Sequence, residues 1–166
     1  MADLTSNVNF LSPIEFKLVL NRLPNVEFFV KSATVPGISS GNTEIPTPFK
    51  NIYEPGDKLA YEEFTVSVIC DENMASFKEI SSWLVLSTSP DSFSQYAELA
   101  GQQGEGVKSD GSLIILNSNK NANVTIKFSD MFPVSVGSIQ LDTSGTDLTP
   151  PTFDITFRYN KYTIEV

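Results

Sequence analysis

Hydrophobic and polar residues alternate in several stretches of the chain, which predicts half-buried β-strands. The alternation runs through "IEFKLVLNRL", "AYEEFTVSVIC", "SLIILN", "ANVTIKFS" and "TPPTFDITFRYNKYTIEV". After a turn at "LPN", the segment "VEFFVKSATV" is expected to be the antiparallel partner of the first strand. "SNKNA" has the character of a hairpin turn, and "VSVGSIQL" predicts a further short strand.

One segment, "CDENMASFKEISSWLVLST", changes to a helical period. Phe77, Ile80 and Leu84 lie at i, i+3 and i+7, with Trp83 beside them, and predict an amphipathic helix over 73–87. Asp71 or Asn73 can cap this helix, and an acid near its start suits the helix dipole. "PDSFSQYAELA" is compatible with a shorter second helix.

Strands on both sides of one helix predict a mainly β (α+β) protein. We expect an antiparallel β-sandwich or barrel with the amphipathic helix at its edge. The length and apolar content fit a single domain over 1–166, with a polar N-terminal arm over 1–12.

A Pro- and Gly-punctuated stretch over 36–58 separates two of the predicted strands. Connections of this length inside a compact domain are typically functional or disordered. Proline fixes φ and so lowers the entropy lost when a loop docks. The stretch therefore predicts a projecting loop with a function of its own.

Charge and composition argue against several function classes. The net charge is −9, from 11 basic and 20 acidic residues, so phosphate backbones should be repelled. The sequence has no histidine, which removes Ser-His-Asp and Cys-His catalysis and most zinc sites. The single cysteine, Cys70, ends an apolar strand and is expected to be a buried small hydrophobe. We therefore predict no enzyme activity, no cofactor and no metal site.

Two short motifs are also interpreted as structural. "GQQGEGVKS" over 101–109 nearly matches a phosphate-binding loop, but a strand pattern follows it where a helix is needed, so a surface loop is favoured. "SDGS" over 109–112 lacks the other oxygens of a calcium loop and predicts a turn. No run of about 18 apolar residues predicts a membrane span, and the polar N-terminus "MADLTSNVNF" is not expected to be a signal peptide.

The segments "KSATVPG", "IPTPFKNI" and "PGDKLAYEEFTVSVICDE" carry a family resemblance. With the order of strands and helix around them, the chain resembles the tail tube proteins of contractile-tailed bacteriophages, whose fold is shared with the Hcp tubes of type VI secretion. The resemblance implies a hexameric ring in which subunits pool strands into one inner barrel. Rings would stack into a tube, the conduit for genome delivery inside a contractile sheath.

The resemblance also implies partners and a location. The partners would be further copies of the chain, the tail sheath protein, and baseplate and tail-terminator proteins, and DNA would pass through without specific binding. The location would be the virion tail, after assembly in the host cytoplasm. A tube-like baseplate or tail-terminator paralogue and a secretion-system tube subunit remain alternatives. A monomeric β-sandwich that binds a ligand is less favoured, and a hydrolase that uses carboxylates least.

Two sets of site residues follow from this resemblance. The projecting loop over 36–58 would stack successive rings, and its predicted contact residues are Ile38, Ile45, Phe49, Ile52, Gly56 and Asp57. The polar faces of two strands are candidates for the lumen wall, and the residues on these faces are Thr65, Ser67, Asn123, Thr125 and Lys127. Alternation shows which side of a strand is polar but does not show where that side faces.

Overall fold

The computed structural model describes residues 10–88, 97, 106–144 and 149–166, and the fold there is mainly β, as predicted. The elements in chain order are β1 (Phe16–Leu20), α1 (Pro24–Phe29), β2 (Val30–Ala33), β3 (Ile38–Pro46), β4 (Asn51–Tyr61), β5 (Phe64–Ile69), α2 (Ala75–Thr88), β6 (Ser109–Leu116), β7 (Ala122–Val136), β8 (Thr152–Arg158) and β9 (Lys161–Glu165). All strand pairings are antiparallel in this part of the chain.

Strand β7 belongs to two sheets. Its N-terminal half pairs with β6 and β9, and with β1 beyond β6 these strands form sheet A. Its C-terminal half pairs with β8 and continues through β5 to β2 as sheet B. The bend falls at Asp130, whose φ is 57°. Asp130 N–H donates to Asp110 Oδ1 at 3.0 Å, and Asn160 Nδ2 donates to Asp130 Oδ2 at 2.6 Å, so side chains on both sides hold this left-handed residue.

The inner faces of the two sheets pack on one another to form the core. Phe128 of sheet A stacks on Phe64 of sheet B, with ring centroids 4.6 Å apart. The other inward residues come from alternate positions of the strands, and they include Leu18, Leu20, Leu113, Ile115, Ile126, Val66, Val68, Phe153, Ile155 and Phe157. Burying each large side chain stabilises the fold by about 1.5–3 kcal/mol. The outer faces of the two sheets therefore point away from each other.

Helix α2 covers the open side of the sandwich, and its cap is the predicted one. Asp71 accepts hydrogen bonds from the N–H groups of Ala75 at 2.9 Å and Ser76 at 3.0 Å. These bonds and one from the Ser76 hydroxyl lower the pKa of Asp71 to about 2. The carboxylate thus satisfies two of the free N–H groups at the helix start.

The predicted inner stripe of α2 is partly wrong. Ile80 is buried as expected, and Phe77 packs edge-to-face on Phe153 with centroids 5.3 Å apart. Leu84 lies instead on the wall of a shallow cleft, and Trp83 takes the core position. Trp83 also donates from Nε1 to the carbonyl of Val107 at 2.9 Å, which connects the segment just before β6 to the helix. This hydrogen bond and the larger buried area favour Trp83 over Leu84 at the core position.

The predicted hairpin between the first strand and "VEFFVKSATV" is wrong. Residues 24–29 form α1, β1 pairs with β6, and β2 pairs with β5. Pro24 stands in the first turn of α1, where a missing N–H costs nothing. Glu79 of α2 accepts from the N–H groups of Asn25 at 3.2 Å and Val26 at 3.4 Å. Burial raises the pKa of Glu79, although these bonds favour its charged form. A cap supplied by another helix cannot be predicted from the local sequence pattern, because the two segments are far apart in the chain.

The structure tests three further predictions that concern loops and short strands. "SDGS" is not a turn but the start of β6, with Ser109 and Gly111 facing inward. A Cβ on Gly111 would lie 2.7 Å from the terminal methyl of Met131 and 3.0 Å from a methyl of Leu20, so a larger residue there would make these core side chains move. "VSVGSIQL" is not a separate strand, because Val134–Val136 complete β7. The "SNKNA" hairpin is confirmed, with the Asn117 side chain accepting from the N–H groups of Asn119 and Asn121. The predicted helix over 90–100 and the loop residues 101–105 lie outside the described residues, except for 97.

Candidate assembly surfaces

The stretch predicted as a projecting loop is a regular hairpin, in which β3 and β4 form a two-stranded sheet of their own. Every residue of β3 is exposed, and so is nearly all of β4. Ile45 pairs with Ile52 across the strands, and Phe49 at the tip is 98% exposed. An isolated two-stranded hairpin is marginally stable in water, so its exposed apolar side chains favour a covering partner. The six predicted stacking residues all lie on this hairpin.

A bulge divides the hairpin near its middle. Ser40 pairs with Leu59 and Asn42 pairs with Pro55, so Gly41 alone stands opposite three residues of β4. A Cβ on Gly56 would lie 2.5 Å from the carbonyl oxygen of Gly41. Gly56 is therefore required by close backbone approach, and the bulge sets the angle at which the tip leaves the domain.

The hairpin is anchored at its base by hydrogen bonds between its two ends and from two tyrosines. Glu62 N–H donates to the Gly37 carbonyl at 3.0 Å, and Gly37 N–H donates to Glu62 Oε2 at 3.2 Å. Tyr159 Oη donates to the carbonyl of Glu62 at 2.8 Å, and Tyr162 Oη donates to the carbonyl of Pro36 at 3.2 Å. Two tyrosines from the C-terminal strands thus hold both ends of the hairpin.

These tyrosines belong to an aromatic cluster that comprises Tyr61, Tyr159, Tyr162 and Phe128. Tyr61 lies 5.8 Å from Tyr159 and 5.5 Å from Tyr162, measured between ring centroids. Burial, with the neighbouring tyrosines and Glu62 as further causes, raises the pKa of Tyr159 to about 12. Sequence reasoning missed this cluster because Tyr61, Phe128 and the two C-terminal tyrosines lie in distant parts of the sequence, although alternation did place Tyr159 on an inward face.

Sheet B ends in two strands whose outer edges have no partner within the described part of the chain, β2 and the C-terminal half of β7. The N–H of Thr34 bonds inward to Thr65 at 3.0 Å, and the N–H of Gly137 bonds inward to Asp154 at 2.7 Å. Backbone groups alternate in direction along an antiparallel strand. The N–H and C=O groups of Ala33 and Val136 therefore point outward, one at each edge.

The two groups of predicted lumen residues lie on different surfaces. Thr65 and Ser67 are half-buried on the outer face of sheet B, beside Thr156 and Ser32. Asn123, Thr125 and Lys127 lie on the outer face of sheet A, where Lys127 pairs with Glu165 at 2.7 Å. Because the inner faces of the sheets meet in the core, a single lumen wall takes at most one of these groups.

The described residues offer little for catalysis or ligand binding. They contain no group of His, Cys, Asp or Glu that could hold a metal ion. Cys70 is half-buried against the core, and burial and the Asp71 carboxylate raise the pKa of its thiol, which disfavours the reactive thiolate. In the same ranges, no helix is long and apolar enough to cross a membrane.

Comparison with known proteins points to one kind of assembly. A family model described as phage tail tube protein matches residues 7–165. No curated protein matches the chain in sequence. Among solved structures, the chain is similar to one in the sheath/tube terminator of the extracellular contractile injection system PVC in its extended state. The TM-score is 0.62 at 15% identity, and the match covers 96% of this chain and 100% of that one.

Two other solved structures are similar over comparable lengths. A chain in the PVC sheath-tube complex in its extended state has a TM-score of 0.60 at 14% identity, covering 93% of this chain and 90% of that one. A chain in the anti-feeding prophage baseplate has a TM-score of 0.63 at 12% identity, covering 99% and 97%. At these identities the likeness concerns the fold.

Replacing Tyr159 by Phe should loosen the hairpin base and change the alkaline stability of the domain. The folded pKa of about 12 exceeds the usual 10, so the folded state binds this proton more tightly than the unfolded state. That contribution is complete below pH 10 and is lost as the pH rises through about 12. Denaturant unfolding should show a wild-type free energy that falls above pH 10 more steeply than that of Tyr159→Phe. The lost hydrogen bond should also cost the variant about 1 kcal/mol at neutral pH.

Tyr53→Phe is the matched control, because it removes an exposed hydroxyl from the same hairpin. Its pH profile should follow the wild type. Parallel alkaline profiles for the wild type and Tyr159→Phe would contradict the role given to this hydroxyl.

Proposed function

Because the chain belongs to the phage tail tube protein family and is a structural subunit of a tail tube, we propose that it forms stacked hexameric rings that conduct the genome inside a contractile sheath. The observation that carries this proposal is the pair of edges of sheet B that have no partner strand among the described residues, and these edges lie on opposite sides of one four-stranded sheet. Unpaired edges of this kind tend to associate with further strands.

The free edges are complementary in direction. Along sheet B the strands alternate, so β2 runs antiparallel to the C-terminal half of β7. If the β2 edge of one copy meets the β7 edge of the next, the antiparallel alternation continues without a break. The contact joins two different patches, and such heterologous contacts close into rings when the rotation between copies allows it. Closure removes every edge of the pooled sheet.

In this arrangement the outer face of sheet B lines the lumen, with Thr65 and Ser67 on the wall. The short hydroxyl side chains around them include Ser32, Ser135 and Thr156. DNA carries about one negative charge per 1.7 Å of axis and binds surfaces rich in Lys and Arg. The charged residues of the same face include Asp154, which lies beside Ser67, and Arg158, which pairs with Glu63. A wall of short hydroxyl groups with an acid and a neutralised pair lets DNA pass without specific binding. Asn123, Thr125 and Lys127 then lie on the outside of the tube.

The hairpin formed by β3 and β4 stacks one ring on the next. Its support is the exposed apolar set on a projection that the parent domain leaves uncovered, with Phe49 at the tip. Burial of each of these side chains in an inter-ring contact is worth at most about 1.5–3 kcal/mol. Gly56 sets the angle of the projection, and Asp57 lies in the same bulge.

The tail sheath protein and baseplate and tail-terminator proteins are the proposed partners, beside further copies of this chain. Similarity to chains of a sheath-tube complex, a terminator and a baseplate supports this choice. The same similarity keeps a tube-like terminator or baseplate ring as the second candidate. The proposed location is the virion tail after assembly in the host cytoplasm, and we propose no catalytic role.

Replacing Ala33 by Pro tests ring closure. The N–H that proline removes points away from β5, so the subunit should fold normally. The seam between copies loses a hydrogen bond, and the pyrrolidine group of the proline obstructs the approach of the neighbouring strand. Electron microscopy should show no rings, and thermal unfolding should stay near the wild type. Ala33→Gly keeps the N–H and should still form rings. Rings of normal size from Ala33→Pro would refute closure through this edge.

Shortening the hairpin tests stacking. Replacement of residues 44–53 by Asn-Gly keeps the bulge and the base, supplies a tight turn between Thr43 and Glu54, and removes the apolar tip. We expect isolated rings in place of tubes by electron microscopy. Lys50→Ala, a change at the tip that keeps Phe49, should still give tubes. Tubes of ordinary length from the shortened chain would count against the stacking role.

Adding a lysine to each candidate wall distinguishes the lumen from the outside. Ser67→Lys should slow genome delivery, most at low salt, because a cation on the wall holds passing phosphates. Thr125→Lys adds the same charge to the outer face of sheet A and should leave delivery unchanged. Both variants must first be seen to form tubes. The reverse result would assign the lumen to sheet A.

A further inference from the structure

We propose that Lys31 of one subunit forms an ion pair with Asp154 of the next, and that this pair sets the register of the seam between copies. The inference rests on the proposed ring closure and adds the side chains that recognise the second copy. Lys31 lies in a bulge of β2 between Val30 and Ser32, at one free edge of sheet B. Asp154 lies on β8, one strand in from the other free edge.

Rows of paired residues cross the whole of sheet B and show the register inside the subunit. One row joins Ser32, Ser67, Asp154 and Gly137, and the next joins Ala33, Val66, Ile155 and Val136. When these rows are continued into a second copy, Val136 lies opposite Ala33 of the neighbour. Both have their N–H and C=O groups pointing into the seam, so this register pairs them as hydrogen-bonded partners. A shift by one residue would set each outward-pointing residue opposite an inward-bonded residue of the neighbour, and the hydrogen bonds across the seam would be lost.

In the same register, Gly137 lies opposite the neighbour's Ser32, beside Lys31. Gly137 has no side chain, and a Cβ there would lie 3.2 Å from the backbone N and O of Asp154. The space between the neighbour's lysine and Asp154 is therefore free of an intervening side chain. Strands lie about 4.8 Å apart, so the two backbones are separated by about two strand spacings, which these side chains can bridge.

Both charges are available for this contact. Lys31 and Asp154 are exposed, and neither makes an ion pair within the described parts of the subunit. Several other cations near the sheets already have partners, as Arg158 does with Glu63 at 2.7 Å. The register also brings Val134 close to the neighbour's Val35, two half-exposed valines at the opposite end of the seam. A charged contact and an apolar contact are thus both formed in the same register, in which Val136 lies opposite Ala33 of the neighbour.

Charge reversal tests the pair. Lys31→Glu and Asp154→Lys should each raise the protein concentration needed for ring assembly by about tenfold, because the loss recurs at every seam of the ring. High salt should reduce both defects. The double variant Lys31→Glu, Asp154→Lys carries the wild-type net charge and should assemble as the wild type does. Light scattering across a concentration series, with electron microscopy of the products, measures this.

Lys78→Glu is the control, since it makes the same change of charge at an exposed position of α2, outside the strands of sheet B. It should assemble normally, and all variants should keep the wild-type thermal unfolding. Single reversals without a defect, or a double variant that is not rescued, would overturn the ion pair while wild-type rings leave the proposed function intact. A wild-type chain that never forms rings would instead refute the proposed closure.

Discussion

The requirement that backbone N–H and C=O groups find partners shapes most of this molecule. It explains why β7 bends at Asp130 and serves two sheets, because one long strand then supplies pairing to β6, β9 and β8. It also explains the ties between Glu62 and Gly37, which close the hairpin where it leaves the domain. The requirement is met inside the sandwich and, among the described residues, left open at the two edges of sheet B, where we propose that neighbouring copies pair.

The sandwich and the hairpin have different physical characters. The sandwich is held by large apolar side chains such as Phe64 and Phe128, which are almost inaccessible to water. The hairpin has no such core and depends on its base, where Tyr159 and Tyr162 bind backbone carbonyls from both ends. The domain thus carries a projection whose apolar side chains it leaves exposed. This division suits the proposed role, in which the subunit folds first and its hairpin then contacts the next ring.

The charges of the subunit are distributed unevenly over its surfaces. The subunit is acidic overall, yet the outer face of sheet B is dominated by short hydroxyl side chains. The ion pairs described within the subunit are exposed or, at Glu27, half-buried, and pairs near the surface add little stability. Lys31 and Asp154, which make no ion pair among the described residues, lie at opposite sides of the same sheet and are the two charges proposed to join neighbouring copies. In the proposed ring, a seam built from many weak contacts would gain its strength by repetition.

Local pattern determined much of this protein. Period-two alternation located β1, β5 and β8 and their inward residues, and a polar cap followed by a helical period located α2. These features depend on neighbours within a few residues, so they can be predicted directly from the sequence. The resemblance in "KSATVPG" and "PGDKLAYEEFTVSVICDE" named the family, and the match to residues 7–165 confirms it.

Only the tertiary structure decided how those elements are arranged and which surfaces they share. Glu79 caps α1 from another helix, so residues 24–29 are helical where alternation favoured a strand. Thr65 and Thr125 have the same local pattern, yet they face opposite ways because their strands belong to different sheets. The tyrosine cluster, the bulge at Gly56 and the free edges at Ala33 and Val136 all depend on pairing between distant segments. Long-range pairing determines direction and register, which periodicity cannot encode because it records only which side of a strand is apolar.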